Sequence, residues 1–138
     1  TSPMFFDGGI SYIYLCYGIH YLFNVVTNKQ NFPDAVLVRA IEPQEGIEVM
    51  LKRRKLSKLG YNLTSGPGVL SKALGITIQS SRKELAKKNN IWLEDDGLEV
   101  PYHRILSSPR VGVGYAEEDA MLPWRYRIKD SKWVSKAK

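Results

Sequence analysis

Cysteine and histidine are scarce in this sequence, which has one cysteine and two histidines among 138 residues. The lone Cys16 cannot form a disulfide within the chain, and it excludes a zinc cluster built from several cysteines. His20 and His103 lie far apart, without the short spacing that metal ligands show. We therefore predict no metal site, and a reducing compartment is the simplest setting for the chain.

Long apolar runs and nucleotide-binding loops are absent as well. No run approaches the roughly 18 apolar residues of a membrane-spanning helix, and no signal peptide is visible. The glycine patterns G-x-x-x-x-G-K-S/T and G-x-G-x-x-G, which hold nucleotide phosphates, do not occur. These absences predict a protein with no cofactor and no membrane partner. The first residues, Thr-Ser-Pro-Met, are unlike a natural start, so we expect the sequence to begin within a longer protein.

Acidic residues are missing from the stretch between Glu48 and Glu84, and the chain has a net charge of +6. The same stretch is rich in basic side chains: Lys52, Arg53, Arg54, Lys55, Lys58, Lys72, Arg82 and Lys83. Residues 125–138 add six basic side chains against the single Asp130. This separation of charge favours binding of a polyanion such as a nucleic acid. A well-solvated, lysine-rich surface explains it equally well, so charge alone leaves both interpretations open.

Residues 10–27 are rich in β-branched and aromatic side chains, with a Tyr-Gly pair at the centre. This pattern predicts a β-hairpin whose turn lies near Tyr17 and Gly18. The nearly continuous apolar run at 35–41 predicts an interior third strand. We expect further strands at 91–94 and 125–128 and a strand or loop at 111–115, and we interpret the three widely spaced tryptophans as core anchors.

Proline and glycine mark the ends of the predicted helices. Pro43 is expected to open one helix, and a second, short amphipathic helix follows the break at 65–68 and ends at Gly75. The Ser-x-x-Glu pattern at 81–84 predicts a third, through about residue 88. Because strands precede a mixture of helices and strands without a βαβ rhythm, the sequence predicts an α+β fold. We expect a single domain over residues 1–138, with a curved, largely antiparallel sheet, a protruding β-hairpin and short packing helices.

Three side chains of this pattern are candidates for binding. Aromatic residues in strands usually pack in the core, but Tyr17 lies at the predicted turn, where an exposed ring is suited to unstacking bases. Asn24 stands among apolar residues, and an unpaired buried amide costs about 1–3 kcal/mol, so it needs a backbone partner or a bound base edge. Arg39 lies in an apolar run and needs an anionic partner: a structural carboxylate such as Glu42, a phosphate or a catalytic carboxylate. The pattern alone favours the structural pair.

The Gly-Pro-Gly sequence that begins at Gly66 leads into the second helix and presents free backbone N–H groups, which suit a phosphate. Together with Gly68, Ser71 and Lys72, it forms a candidate contact to a DNA backbone. The signal is weak, because the spacing of a nucleotide-binding loop is missing.

Five segments, taken in order, resemble the alkyladenine (3-methyladenine) DNA glycosylase family: ISYIYLCYGIHYLFNVVT, VLVRAIEPQEG, LTSGPGVLSKALGI, RVGVGYA and PWRYRIKDSKWVS. The match runs nearly end to end, and five linked motifs are far more specific than any one of them. The resemblance implies a DNA repair enzyme of base excision repair. It implies that the protein flips an alkylated or deaminated purine and hydrolyses its N-glycosidic bond without a metal. The implied partner is double-stranded DNA with a damaged purine, bound by a monomer.

The resemblance also implies roles for four side chains. Tyr17 matches the tyrosine at the hairpin tip that fills the gap left by the flipped nucleotide, and Tyr14 matches the aromatic that stacks on the extruded base. Asn24 matches the amide that disfavours normal guanine, whose N2 amino group would clash there. Arg39 matches the arginine that helps to hold the catalytic water. Base flipping requires these functions: a wedge, a stacking partner and an edge reader.

The family's catalytic glutamate has no counterpart in this sequence. It lies upstream of the hairpin in a Glu-Thr-Glu-Ala-Tyr type segment, and nothing in residues 1–9 matches that segment. Glu42 and Glu45 match other parts of the family pattern. We therefore expect the chain to be an N-terminally truncated or incomplete glycosylase domain whose activity requires the absent segment. The alternative is a non-catalytic module that binds DNA damage without a general base, and a third interpretation is an RNA-binding protein of similar charge.

The pocket hypothesis sets one geometric condition. A strict two-residue turn at Tyr17 and Gly18 puts Tyr14 and Asn24 on opposite faces of the hairpin, because side chains alternate along a strand. A loop of odd length, or one bulge, puts them on the same face, and the hypothesis needs this second arrangement.

Overall fold

A computed structural model describes residues 8–29, 34–110, 119 and 121–135, and it shows the α+β fold that the sequence predicts. The elements are β1 (Ser11–Cys16), β2 (His20–Val26), β3 (Ala35–Leu37), α1 (Ile47–Arg54), α2 (Pro67–Leu74), β4 (Ile105–Ser108) and β5 (Arg125–Ile128). Single turns of 3-10 helix lie at Tyr61–Leu63, Ile78–Ser80, Lys87–Asn89 and Tyr102–Arg104. The described strands make two antiparallel sheets, β1-β2-β3 and β4-β5, where we expected one sheet.

The predicted hairpin is confirmed, and its loop contains three residues. Cys16 pairs with His20 across the strands. The Ile19 amide donates to the Cys16 carbonyl over 3.1 Å, which closes a turn with positive φ at both Tyr17 (53°) and Gly18 (70°). Positive φ at both central positions is the geometry of a type I′ turn, which matches the twist of the flanking strands. Ile19 is the third residue of the loop, so the loop has an odd number of residues.

The core lies between one face of the hairpin and helix α2. Its buried centre consists of Ile13, Phe23, Leu70 and Ile76. Ile13 and Phe23 are paired across the strands, so their side chains share a face. A second buried cluster joins α1 to α2 and consists of Met50, Leu63 and Ala73. The two clusters make α2 the central element of the described fold.

Helix α2 stops at Gly75 as the sequence predicts, but it begins at Pro67, inside the expected break at 65–68. Helix α1 begins later than predicted. Pro67 occupies the first turn of α2, where its missing N–H leaves no bond unmade, and Gly75 ends the helix with a φ of 70°. The prediction that Pro43 opens α1 is wrong, because Gly46 has a φ of 74° and directly precedes the helix. A left-handed residue cannot belong to a right-handed helix, so α1 starts at Ile47.

The predicted helix at 81–88 is wrong, because residues 80–85 lie along an edge of β1. The Ser11 amide donates to the Lys83 carbonyl, and the Arg82 amide donates to the Ser11 carbonyl, both over 2.8 Å. These bonds satisfy backbone groups that an uncovered strand edge leaves unpaired. Pairing with a distant strand therefore outweighs the local capping pattern.

The third strand is shorter and less buried than predicted. It ends at Leu37, and among the described strands it pairs only with β2. Val36 is 55% exposed, so the prediction of an interior strand is wrong for the described structure. The chain leaves β2 after Val38 and pairs next with the loop after Tyr61–Leu63, where the Ile41 amide donates to Thr64 over 3.4 Å. The predicted strand at 91–94 is absent from the structure, and the segment 111–115 lies outside the described residues.

Two of the three tryptophans are not core anchors. Trp92 and Trp124 are 43% and 49% exposed. Cations cover their faces instead, with Lys87 Nζ 5.9 Å from the ring centre of Trp92 and the Arg110 guanidinium 5.1 Å from that of Trp124. Such contacts let a large ring remain partly in water at little cost, which composition alone does not reveal.

Candidate nucleic-acid interface

The three-residue loop brings Tyr14 and Asn24 to the same face of the hairpin. Tyr14 is paired with Leu22, and Tyr12 is paired with Asn24. Residues paired across antiparallel strands share a face, and so do residues two apart on one strand. The geometric condition set by the pocket hypothesis is therefore met.

A cavity of about 450 Å³ lies on this face. Its lining comes from the hairpin and from β3, and consists of Tyr12, Tyr14, Cys16, Tyr17, Leu22, Asn24 and Leu37. Small-ligand sites in proteins commonly measure about 300–1,000 Å³ and combine an apolar lining with a few polar groups. Aromatic rings around one amide suit a planar ring that has hydrogen-bonding groups at its edge.

The amide of Asn24 is held in place by the backbone. Its Nδ2 donates to the carbonyls of Tyr12 and Leu22, each over 3.3 Å. Only the NH2 group of the Asn24 amide can donate to these two carbonyls, since the amide oxygen has no hydrogen to donate. The two bonds therefore fix the orientation of the amide. The amide that lines the cavity is thus oriented by backbone contacts that come from both strands of the hairpin.

Tyr17 projects from the hairpin tip and is 91% exposed. Its φ of 53° is left-handed, a conformation that is costly for a bulky L-residue. An exposed ring gains no packing that would offset this strain. Strained residues of this kind are concentrated at functional sites. Tyr14, which is 51% exposed, lies in the wall of the cavity beside this tip.

Arg39 lies just beyond β3 and is half-buried. The Val38 amide donates to the Phe23 carbonyl over 2.9 Å, so strand pairing continues one residue past Leu37. Side chains alternate between the two faces of a strand, so Arg39, two residues after Leu37, is placed on the same side as Leu37. Leu37 lines the cavity. The expected pair with Glu42 is wrong: among the described residues no carboxylate forms an ion pair with Arg39, and Glu42 is exposed.

The environment of Arg39 disfavours its charge. Burial lowers the pKa of the guanidinium from its ordinary value, and the positive charge of Arg125 lowers it further. Its Nε is buried without a hydrogen-bond partner in the described part of the chain. A buried N–H with no acceptor is costly, which indicates that an acceptor is supplied by another group.

The backbone-contact candidates lie at the start of α2. Gly66 is extended (φ −144°), and no side chain caps the helix after it. A Cβ at Gly68 would lie 2.7 Å from Nδ1 of His20, so glycine is needed there for the hairpin to approach the helix. Ser71 is 1% exposed and donates to the Pro67 carbonyl, so its hydroxyl faces the helix rather than solvent. Lys72 is exposed.

Comparisons with known proteins identify the family of the chain. The model of the methylpurine-DNA glycosylase family matches residues 1–132. The chain belongs to this family. It is 45% identical over 135 residues to a protein of Chlamydia felis whose name gives 3-methyladenine DNA glycosylase as a provisional activity. It is 37% identical over 139 residues to a protein of Arabidopsis thaliana named DNA-3-methyladenine glycosylase.

The chain covers these relatives only in part. The matched region is 96% of this chain and 68% of the Chlamydia felis protein. For the Arabidopsis thaliana protein the corresponding shares are 100% and 54%. A Clostridium tetani relative, whose name is also provisional, is 38% identical over 99% of this chain and 70% of its own length. Each relative therefore has residues that this chain does not match.

Part of the basic cluster in this glycosylase-family chain stabilises the fold. Arg53 Nη1 donates to the Ala73 carbonyl near the end of α2 over 3.0 Å. Arg54 donates from Nε to the Leu63 carbonyl over 3.2 Å and from Nη2 to the Asn62 carbonyl over 2.9 Å. Guanidinium groups satisfy helix-terminal carbonyls in this way. These two arginines are therefore only partly available to a polyanion.

Sequence reasoning missed two residues near the site. Arg125 belongs to the basic C-terminal stretch and was expected at the surface, yet it is 2% exposed. It lies on β5, and its Nη2 donates to the Ser135 carbonyl over 2.8 Å. His20 approaches Gly68, a contact between residues far apart in sequence. No local pattern predicts either position, because both depend on tertiary packing.

Metal-binding clusters and membrane-spanning helices are absent from the described residues. No group of three His, Cys, Asp or Glu side chains in this part of the chain is arranged to hold a metal ion. None of its helices has the length and apolar character needed to cross a membrane. A larger groove of about 560 Å³ is lined by residues between Leu74 and Trp92, and no hairpin residue contributes to it.

Proposed function

We propose that this protein is a DNA glycosylase that flips an alkylated or deaminated purine out of duplex DNA and hydrolyses its N-glycosidic bond. The observation that supports this most strongly is the arrangement of the hairpin. Its exposed tip residue, Tyr17, adjoins a cavity that contains both Tyr14 and Asn24. The family membership of the chain supports the same assignment.

The tip of the hairpin enters the base stack in this proposal. Tyr17 takes the place of the flipped nucleotide, and its ring stacks on the neighbouring bases. Stacking of a base on an aromatic side chain contributes about 1–3 kcal/mol. The type I′ turn keeps the ring clear of the strands, where it would otherwise pack against the protein. The positive net charge contributes the salt-dependent part of duplex affinity.

The cavity receives the flipped purine. Tyr14 stacks on its face, and the amide of Asn24 lies against its edge. Because the backbone of Tyr12 and Leu22 fixes that amide, it cannot turn away from an additional amino group. Guanine carries such a group at N2, so the cavity selects against a normal base by steric conflict with the fixed amide.

Hydrolysis requires a water molecule that attacks the sugar C1′ and a general base that accepts its proton. We propose that Arg39 holds this water, since strand alternation past Leu37 puts the residue on the cavity side of the sheet and its Nε is unpartnered among the described residues. None of the described residues that line the cavity is Asp or Glu. The general base is therefore proposed to be a carboxylate from a part of the protein outside these residues. No metal is needed for the reaction.

The absence of a carboxylate from the described lining of the cavity also favours a second function. A protein that flips and holds a damaged base without cutting would need the wedge, the stacking ring and the edge reader, but no general base. It would act as a monomeric module that binds damaged duplex DNA and leaves the glycosidic bond intact.

A single-turnover excision assay separates the two functions. The substrate is a duplex with one hypoxanthine or ethenoadenine, with the protein in excess, and a gel shift measures binding to the same duplex. Release of the free base and formation of an abasic site support the glycosylase. Binding without release supports the damage-binding module. Absence of both binding and release contradicts both proposals.

A further inference from the structure

Arg125 is the most deeply buried cation that the structure describes, and its hydrogen bonding is incomplete. The residue is 2% exposed, and Nη2 donates to the Ser135 carbonyl over 2.8 Å. Its Nη1 is also buried, and in the described part of the chain no acceptor contacts it. A buried guanidinium normally has an anion or several acceptors around it, because removing it from water is costly.

Arg39 has the same deficit, and the positive charge of Arg125 contributes to the lowering of its pKa. Its Nε is buried without an acceptor, and among the described residues no carboxylate pairs with it. Two like charges in a partly buried setting repel each other, and this repulsion adds to the effect of burial on the pKa of Arg39. One anion between the two guanidinium groups would remove both the repulsion and the unpaired N–H groups.

The segments that carry the two arginines are held by the same loop. The Ser135 amide donates to the Ser65 carbonyl over 3.1 Å, and Ser135 in turn accepts from Arg125. On the other side, the Thr64 hydroxyl donates to the Ile41 carbonyl over 2.7 Å, two residues beyond Arg39. Residues 64–65 thus connect both segments through hydrogen bonds, which holds the segments of the two arginines in one part of the fold.

We propose that Arg39 and Arg125 together bind one oxyanion group, a carboxylate or a phosphate, beside the hairpin cavity. Arg125 acts in this site as a positioning residue, since it shares the anion that orients Arg39. The role of Arg125 in the reaction rests on the proposed function, whereas the existence of the oxyanion site is independent of it. The oxyanion has two possible sources: a carboxylate side chain of the protein itself, or a phosphate of the bound DNA.

The site is tested by urea unfolding of the full protein and of three variants: Arg39→Gln, Arg125→Gln and the double variant. Each protein is measured with and without millimolar sulfate, at constant ionic strength, so that sulfate serves as the probe oxyanion. Arg104→Gln is the matched control, because it removes the same charge at an exposed position, where Arg104 Nη2 donates to the Lys129 carbonyl. Arg125→Lys, which keeps the charge, serves if Arg125→Gln does not fold.

Two outcomes support the site and distinguish its source. A phosphate site is empty in the free protein, so sulfate raises the urea midpoint of the unmodified protein and the control, and either single variant loses this rise. A site filled by a protein carboxylate gives no sulfate effect, but the double variant is less destabilised than the sum of the two single variants. Additive effects without any response to sulfate would overturn the proposal.

The excision assay gives an independent measure of positioning. If Arg125 orients Arg39, Arg125→Gln lowers the single-turnover excision rate by about 10- to 100-fold while the Kd for lesion DNA changes much less. The control Arg104→Gln keeps the rate. If the unmodified protein does not excise at all, the proposed function fails, whereas the unfolding experiment still decides whether the two arginines share an anion.

Discussion

Tyr17→Asn is expected to separate DNA recognition from stability, because the ring does nothing for the folded protein. The side chain is 91% exposed, so its removal costs little packing. Its left-handed φ of 53° costs an ordinary L-residue roughly 1–2 kcal/mol, whereas asparagine tolerates this conformation. The substitution also gives the Asn-Gly pair that type I′ turns prefer. The free energy of unfolding should therefore stay unchanged or rise by up to about 1 kcal/mol.

Binding should change in the opposite direction. Loss of one stacked aromatic removes about 1–3 kcal/mol, which corresponds to roughly a 5- to 150-fold weaker preference for lesion-bearing over intact duplex. Fluorescence anisotropy at fixed salt gives both dissociation constants, and urea unfolding gives stability.

The matched control is Tyr102→Ala. Tyr102 is 92% exposed and lies in a 3-10 turn away from the hairpin. Its substitution should leave the preference for lesion DNA intact. Equal losses on lesion and intact duplex in the Tyr17 variant, or an equal loss in the Tyr102 control, would refute the wedge role. A large drop in stability would refute the strain argument.

Three further changes test the cavity, the hairpin–helix contact and the core. Asn24→Ser should raise excision of normal guanine relative to a lesion, and an unchanged ratio would contradict the edge-reading role. Gly68→Ala should lower the unfolding midpoint because the new methyl meets the His20 ring 2.7 Å away, and the loss should vanish in the His20→Ala background. Leu70→Ala should cost about 2–5 kcal/mol in urea unfolding, because Leu70 is 0% exposed in the core, while Leu98→Ala, at a position 77% exposed, should cost little.

Features fixed by neighbouring residues could be predicted from the sequence. The Tyr-Gly pair amid alternating strand residues predicts the hairpin turn, and the structure confirms it. Gly75 marks the end of α2 as predicted, because its backbone preference acts without help from distant residues. Tyr17, Asn24 and Arg39 could be nominated because each is unusual at its own position, whereas Tyr14 follows only from the family resemblance. Their roles stay predictions.

Features that depend on distant partners could not be predicted. The Ser-x-x-Glu pattern at 81–84 is a valid local signal for a helix, but the edge of β1 offers this segment hydrogen bonds that a local pattern does not reveal. The expected pair between Arg39 and Glu42 failed because a neighbour in sequence is not a neighbour in space. The burial of Arg125 follows from packing of the C-terminal segment, while composition places an arginine at the surface.

The most direct test of the central claim is to observe the base leaving the stack. A duplex carries one hypoxanthine with the fluorescent base 2-aminopurine beside it, and unstacking of this neighbour raises its emission. The account predicts a rise when the protein binds, and little rise with Tyr17→Asn at concentrations where anisotropy shows equal occupancy. Binding of the unmodified protein without any rise in emission would contradict the proposal that its hairpin flips the damaged base.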